Sequence, residues 1–169
     1  MRSLLLCAVL FSAPSFAQIH DPILAIPITD DFLNDTNIRG FLGDLTRQAG
    51  YGHWQTERAA FLILDPNYTY RCAAWPYDGH LDQQNFSGTI PERTVAIAHT
   101  HPQETPAASW LDRQTAKALS VPIFVLKPRN IELVKPDGTS VKVVEDRWWI
   151  PATGSSSTRC SAPNARASR

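Results

Sequence analysis

The sequence predicts one α+β, or α/β-layered, domain: a mixed β-sheet carrying two main helices. Three observations predict it. Apolar runs of strand length recur through the middle of the chain, two stretches show helical periodicity, and a Pro-Asp-Gly turn closes a hairpin near the end. At 169 residues, 43% of them hydrophobic, the chain can bury a core of its own. Its 16 Lys and Arg balance 16 Asp and Glu, so no basic face for a nucleic acid is expected.

The chain opens with Met1-Arg2, an apolar run from Leu4 to Phe11, and small residues at Ser15 and Ala17. This is the pattern of a secretory signal peptide, residues 1–17, cleaved after Ala17. The run is shorter than the roughly 20 residues a membrane span needs. The mature chain is therefore expected to be periplasmic or secreted, with no stable membrane anchor. Cleavage discards Cys7 and leaves Cys72 and Cys160, an even pair that can bridge in an oxidising compartment. Two unpaired thiols are the alternative.

Ile23 to Ile28 is apolar but interrupted by Pro27, which suits an edge strand or an extended arm. From Asn37 the spacing turns helical, with Ile38, Phe41, Leu42, Leu45 and Ala49 on one face. Asp35 or Thr36 can cap that helix and Gly50 can end it. Ala59 to Leu64 has the length of a buried strand. Asp65-Pro66-Asn67 turns the chain into a second, antiparallel strand, Tyr68 to Trp75.

Pro76 to Pro91 reads as a surface loop and Thr94 to His99 as the third strand. Thr105-Pro106 opens the second helix, which runs through Leu111, Thr115, Ala118 and Leu119. Val121 to Leu126 is the fourth strand. Asn130 to Val134 and Ser140 to Val144 flank Pro136-Asp137-Gly138, a hairpin signal. Residues 18–150 make the domain, and the Ser-, Thr-, Ala- and Arg-rich residues 151–169 are expected to be a disordered tail apart from Cys160.

The chemistry lies in Ala98-His99-Thr100-His101-Pro102. Alternate residues of a strand share a face, so the two imidazoles point the same way. Asp112, on the following helix, is near enough in sequence to fold back beside them. Two imidazoles and a carboxylate are the protein ligands of a catalytic zinc whose fourth position stays open to water. A water there becomes a nucleophile near neutral pH, with a pKa of about 7. Ordinary loop histidines are the plain alternative.

The longer pattern, His99-x-His101-Pro102 followed by Ser109-x-x-Asp112, resembles the motif of the JAMM (JAB/MPN) metalloprotease family. That family also has a glutamate upstream, and Glu57 stands at the matching place, about forty residues before His99 and directly ahead of the first core strand. The order of elements is similar too, over Ile38 to Val144. Ala60 departs from the glycine that members often have three residues after the glutamate.

The resemblance implies an exported bacterial member with a curved sheet and a JAB/MPN-like (cytidine-deaminase-like) fold. It implies that His99, His101 and Asp112 bind Zn2+. It implies that Glu57 takes a proton from the attacking water and passes it to the leaving amine, and that Ser109 donates a hydrogen bond to the oxyanion. Chemistry alone asks for the same parts, since amide hydrolysis needs a nucleophile, a base and an anion stabiliser.

Simpler readings stay open: Ser109 as a helix-turn hydroxyl, Glu57 as a solvated carboxylate beside Arg58, and Glu92 or Glu104 as a weaker choice of base. His53 and His80 are expected in solvent. Trp110, beside Ser109, is expected at the cleft. The expected function is an exported zinc metallopeptidase that cuts an amide or isopeptide bond in cell-envelope peptides or proteins. The alternatives are an inert binding module of the same fold, a secreted effector, and a metal-binding protein without hydrolytic activity.

Overall fold

The computed structural model of the chain describes residues 30–52, 56–76, 86, 88–101, 108–145 and 160. Its strands are β1 (Ala59–Leu64), β2 (Tyr70–Ala74), β3 (Thr94–Thr100), β4 (Ile123–Leu126), β5 (Asn130–Val134) and β6 (Ser140–Glu145). Its α-helices are α1 (Asp30–Asn34), α2 (Thr36–Gln48) and α3 (Trp110–Leu119). The strands form one mixed, open sheet in the order β2-β1-β3-β4-β5-β6. Every neighbouring pair is antiparallel except β3 and β4. A parallel pair needs a long crossover, and the chain between β3 and β4 supplies it with α3.

Strand periodicity divides the core between two faces. Ala60, Leu62, Cys72, Ala96, Ala98, Phe124, Leu126, Ile131 and Leu133 pack with Phe32 of α1 and with Ile38, Phe41, Leu42 and Leu45 of α2. Phe61, Ile63, Ala73, Ile97, Ile123, Val125 and Val134 pack with Ala116 of α3. All six residues of β1 are buried, as a strand covered on both faces requires.

Asp35 is the cap of α2, accepting the Asn37 and Ile38 N–H groups at 2.8 and 3.0 Å. Gly50 follows the helix in the left-handed region, φ +63°, where glycine carries no Cβ penalty.

Several boundaries differ from the sequence expectation, most by a single residue. β2 begins at Tyr70, because Tyr68 occupies a left-handed turn position (φ +63°) and is 81% exposed. Trp75 lies past the strand yet continues its pairing, donating its N–H to the Ala59 carbonyl at 2.8 Å. β4 begins at Ile123, since Pro122 has no N–H to pair and offers only its carbonyl, to Ile97 N at 2.9 Å. The second main helix starts at Trp110 rather than at Thr105-Pro106, because Ser109 holds extended backbone and caps it. Its buried positions are Asp112 and Ala116, while Leu111 faces out.

The short α1 was not expected from the sequence. It sets the Phe32 ring against Tyr70 and Phe124, with centroids 5.0 and 5.6 Å away.

Cys72 and Cys160 form a disulfide, with Cα atoms 4.6 Å apart. Cys72 is buried in the edge strand β2, and Cys160 packs on the α2 side of the sheet. Among the described residues no helix is long and apolar enough to cross a membrane. The signal segment, the Ile23–Ile28 strand, His53, His80, Glu104, the Thr105-Pro106 turn, Trp148-Trp149 and residues 151–169 other than Cys160 lie outside the described residues.

Candidate metal centre

β3 points Ile97 into the α3-side core, and two steps on, the same periodicity brings His99 to that face. His101 continues the register past the end of the strand, its N–H donating to the Leu126 carbonyl at 2.9 Å. The two imidazoles meet edge to face, with centroids 4.7 Å apart.

Asp112 comes from the first turn of α3. Ser109 and Asp112 form a capping box there. The Asp112 N–H donates to Ser109 Oγ at 3.1 Å, while Asp112 Oδ2 accepts the Ser109 N–H at 2.6 Å and its hydroxyl at 2.7 Å. Held this way, Asp112 Oδ1 stands 3.0 Å from His99 Nε2, and Oδ2 stands 3.8 Å from His101 Nε2.

Glu57 reaches the same place from the segment leading into β1. Ala59 pairs with His99 in the antiparallel β1–β3 ladder. The next steps outward set Arg58 beside Thr100 and Glu57 beside His101. Thr100 N donates to the Arg58 carbonyl and Arg58 N to Thr100 Oγ1, both at 2.9 Å. Glu57 Oε1 then lies 3.9 Å from His101 Nε2.

His99, His101 and Asp112 can hold a metal ion. Their ligand atoms all lie within 4.8 Å of one another. Tetrahedral zinc with bonds of roughly 2.0–2.1 Å places its ligand atoms about 3.3 Å apart. The side chains are largely withdrawn from solvent, at 12%, 4% and 11% exposure. His99 Nε2 is buried and makes no hydrogen bond. The Asp112 oxygen lies 3.0 Å away, close enough for its charge to act on the ring. Two donor atoms this close suit two ligands of one ion.

Burial alone would raise the Asp112 pKa. The His99 ring beside it and the Ser109 hydrogen bonds outweigh burial and hold the carboxyl well below the usual range. Asp112 is therefore held as a carboxylate at ordinary pH, a form in which it could meet a metal ion with a negative charge.

Glu57 is 7% exposed, which removes the reading of it as a solvated carboxylate. Arg58 Nη1 donates to the backbone carbonyl of Glu57 at 3.3 Å. Glu92 is exposed at the far end of β3 and is not brought to the site. The Ser109 hydroxyl serves as a helix cap, as the simpler reading had it. Trp110 beside it is 73% exposed.

Sequence reasoning missed Glu132, which accepts the Ala108 N–H at 3.0 Å just before that cap. The available signal was a lone acidic residue between Ile131 and Leu133 in an apolar strand.

Fold and site together define a class: an α+β domain with a buried His-His-Asp group that can hold a metal ion. No family model, curated protein or solved structure matches the chain.

Proposed function

We propose that the protein is an exported zinc metallopeptidase of the JAMM (JAB/MPN) type, with the fold of that family, hydrolysing an amide or isopeptide bond in cell-envelope peptides or proteins. One observation carries the reading. A glutamate just ahead of β1 converges on a His-His-Asp group built from the end of β3 and from α3, with Glu57 Oε1 3.9 Å from His101 Nε2. A carboxylate beside the ligands, outside the group that can hold the ion, stands where amide hydrolysis needs its base. The Cys72–Cys160 bridge supports export, because disulfides persist in oxidising compartments.

His99, His101 and Asp112 hold the ion in this reading, and Asp112 supplies the one negative charge among them. Zinc at such a site polarises a carbonyl and brings the pKa of water to about 7. Glu57, one step outside the ligand set, takes the proton of the attacking water at a carboxylate oxygen and returns it to the leaving nitrogen. Ser109 fixes Asp112 through the cap. Its hydroxyl, hydrogen-bonded to Asp112 Oδ2, serves a developing oxyanion by turning away from that oxygen.

The test is mass analysis of cell-wall peptides and envelope proteins after incubation with the zinc-loaded mature protein. Cleavage products are expected with wild type and not with Glu57→Gln. Equal product from both overturns the assignment of the base. Zinc binding without any cleavage favours a binding module of the same fold.

A further inference from the structure

We propose that Glu132 is a positioning residue for Asp112: it clamps the first turn of α3 from both sides of the cap and so sets the distance from Asp112 to His99. The inference rests on the metal-centre reading.

The sheet places the clamp. His99 pairs with Val125, and Val125 with Glu132, so the three stand in one row across β3, β4 and β5. With strands about 4.8 Å apart, Glu132 lies about 10 Å along that row from His99. Ile131 and Leu133 belong to the α2-side core, while Val134 belongs to the α3-side core. Glu132 therefore faces α3, as His99 does. The first turn of α3 lies over the gap between them.

Glu132 Oε2 accepts the Ala108 N–H at 3.0 Å, immediately before Ser109. Glu132 Oε1 lies 3.7 Å from Arg113 Nη2, immediately after Asp112. The four residues Ser109 to Asp112 are thus held at both ends by one carboxylate. Arg113 Nη1 also donates to the Gly138 carbonyl at 3.2 Å, tying the same turn to the β5–β6 hairpin. Glu132 is itself largely buried, its side chain 12% exposed. A carboxylate oriented by two partners that flank the first turn of α3 has few alternative positions, and the turn has few without it. Groups that orient metal ligands from behind typically change metal affinity about 10–100-fold when removed.

The experiment compares the mature, disulfide-bonded protein with Glu132→Ala and Glu132→Gln. Three quantities are read: zinc affinity by competition with a chromophoric chelator, the visible spectrum of the cobalt(II) form, and the melting temperature of the metal-free protein. Glu132→Ala is expected to bind zinc about 10–100-fold more weakly and to alter the cobalt bands. Glu132→Gln keeps an oxygen for the Ala108 N–H and should recover most of the affinity. A purely structural role would lower both apo melting temperatures and leave affinity and spectrum alone. Wild-type affinity and spectrum in Glu132→Ala overturn the proposal.

Should Glu132→Ala fail to fold, Glu132→Asp decides. It keeps the charge but is one methylene too short to hold both partners, so weaker zinc binding supports the clamp and unchanged binding ends it. A wild type that binds neither zinc nor cobalt overturns the metal-centre reading, and this inference with it. A wild type that binds both, with an equally tight Glu132→Ala, overturns the clamp alone.

Discussion

Glu57, two residues ahead of β1, has its Oε1 3.9 Å from Nε2 of His101, the residue just past β3. This sets Glu57 beside the group that can hold a metal ion, at the place proposed for the base. Glu57→Gln keeps volume and loses the basic oxygen. Turnover is expected to fall about 10²–10⁴-fold, with zinc retained. Activity and zinc content measured on the same preparation check this; loss of zinc would make Glu57 part of the ligand shell.

Metal content gives the second prediction. The purified mature protein should carry one zinc per chain, and His101→Ala should lose it. Because metal binds the folded chain, free zinc at 1,000 times Kd should stabilise wild type by about 4 kcal/mol. Melting with and without a chelator measures this. A melting temperature indifferent to the chelator removes the site.

Asp112 links stability to pH. Its folded-state pKa is depressed against an unfolded value of about 3.9. Its contribution is therefore complete above the unfolded pKa and is lost as pH falls through the folded one. Metal-free wild type and Asp112→Asn, unfolded by urea between neutral pH and strong acid, should differ most near neutrality and converge in acid. A difference that grows toward acid contradicts the depressed pKa.

Ser109 caps α3, and two substitutions separate that task from the oxyanion role proposed for it. Ser109→Ala removes the cap of α3 and should destabilise by about 0.5–2 kcal/mol, whereas Ser109→Gly should lose only a few tenths. Where capping is its whole task, activity follows stability and the glycine variant stays active. Where the hydroxyl meets the oxyanion, both variants lose turnover alike, and kcat of the two decides.

The disulfide ties the C-terminal region to the edge strand β2 across a sequence separation of 88 residues. Reduction, or replacement of both Cys72 and Cys160 by alanine, should destabilise by about 2–5 kcal/mol, read as a shift in denaturant midpoint. Metal content should persist, because neither cysteine is near the His-His-Asp group in the sheet. Loss of zinc on reduction would show the two regions to be coupled.

Much of this protein was legible before any tertiary contact was known. The apolar run of β1, the hairpin around Gly138 and the helical face of α2 arise from residue spacing over a few turns or strand steps. The common face of His99 and His101 follows from a strand period of two. Such patterns depend only on dihedral angles and near neighbours.

Other features needed the assembled sheet. Strand position alone did not separate Glu57 from Glu92, since each leads into a core strand, and only the resemblance put Glu57 first. The Ala59–His99 register brought one to the ligands, and strand direction left the other at the far end of β3. Nothing in local spacing links Glu132 to His99, and pairing through β4 sets the two in one row. The start of α3 also moved, because proline in a first turn is permitted at many places, whereas a capping box satisfies real N–H groups at one. Register, strand order and burial depend on pairings between distant segments, and local spacing carries no record of them.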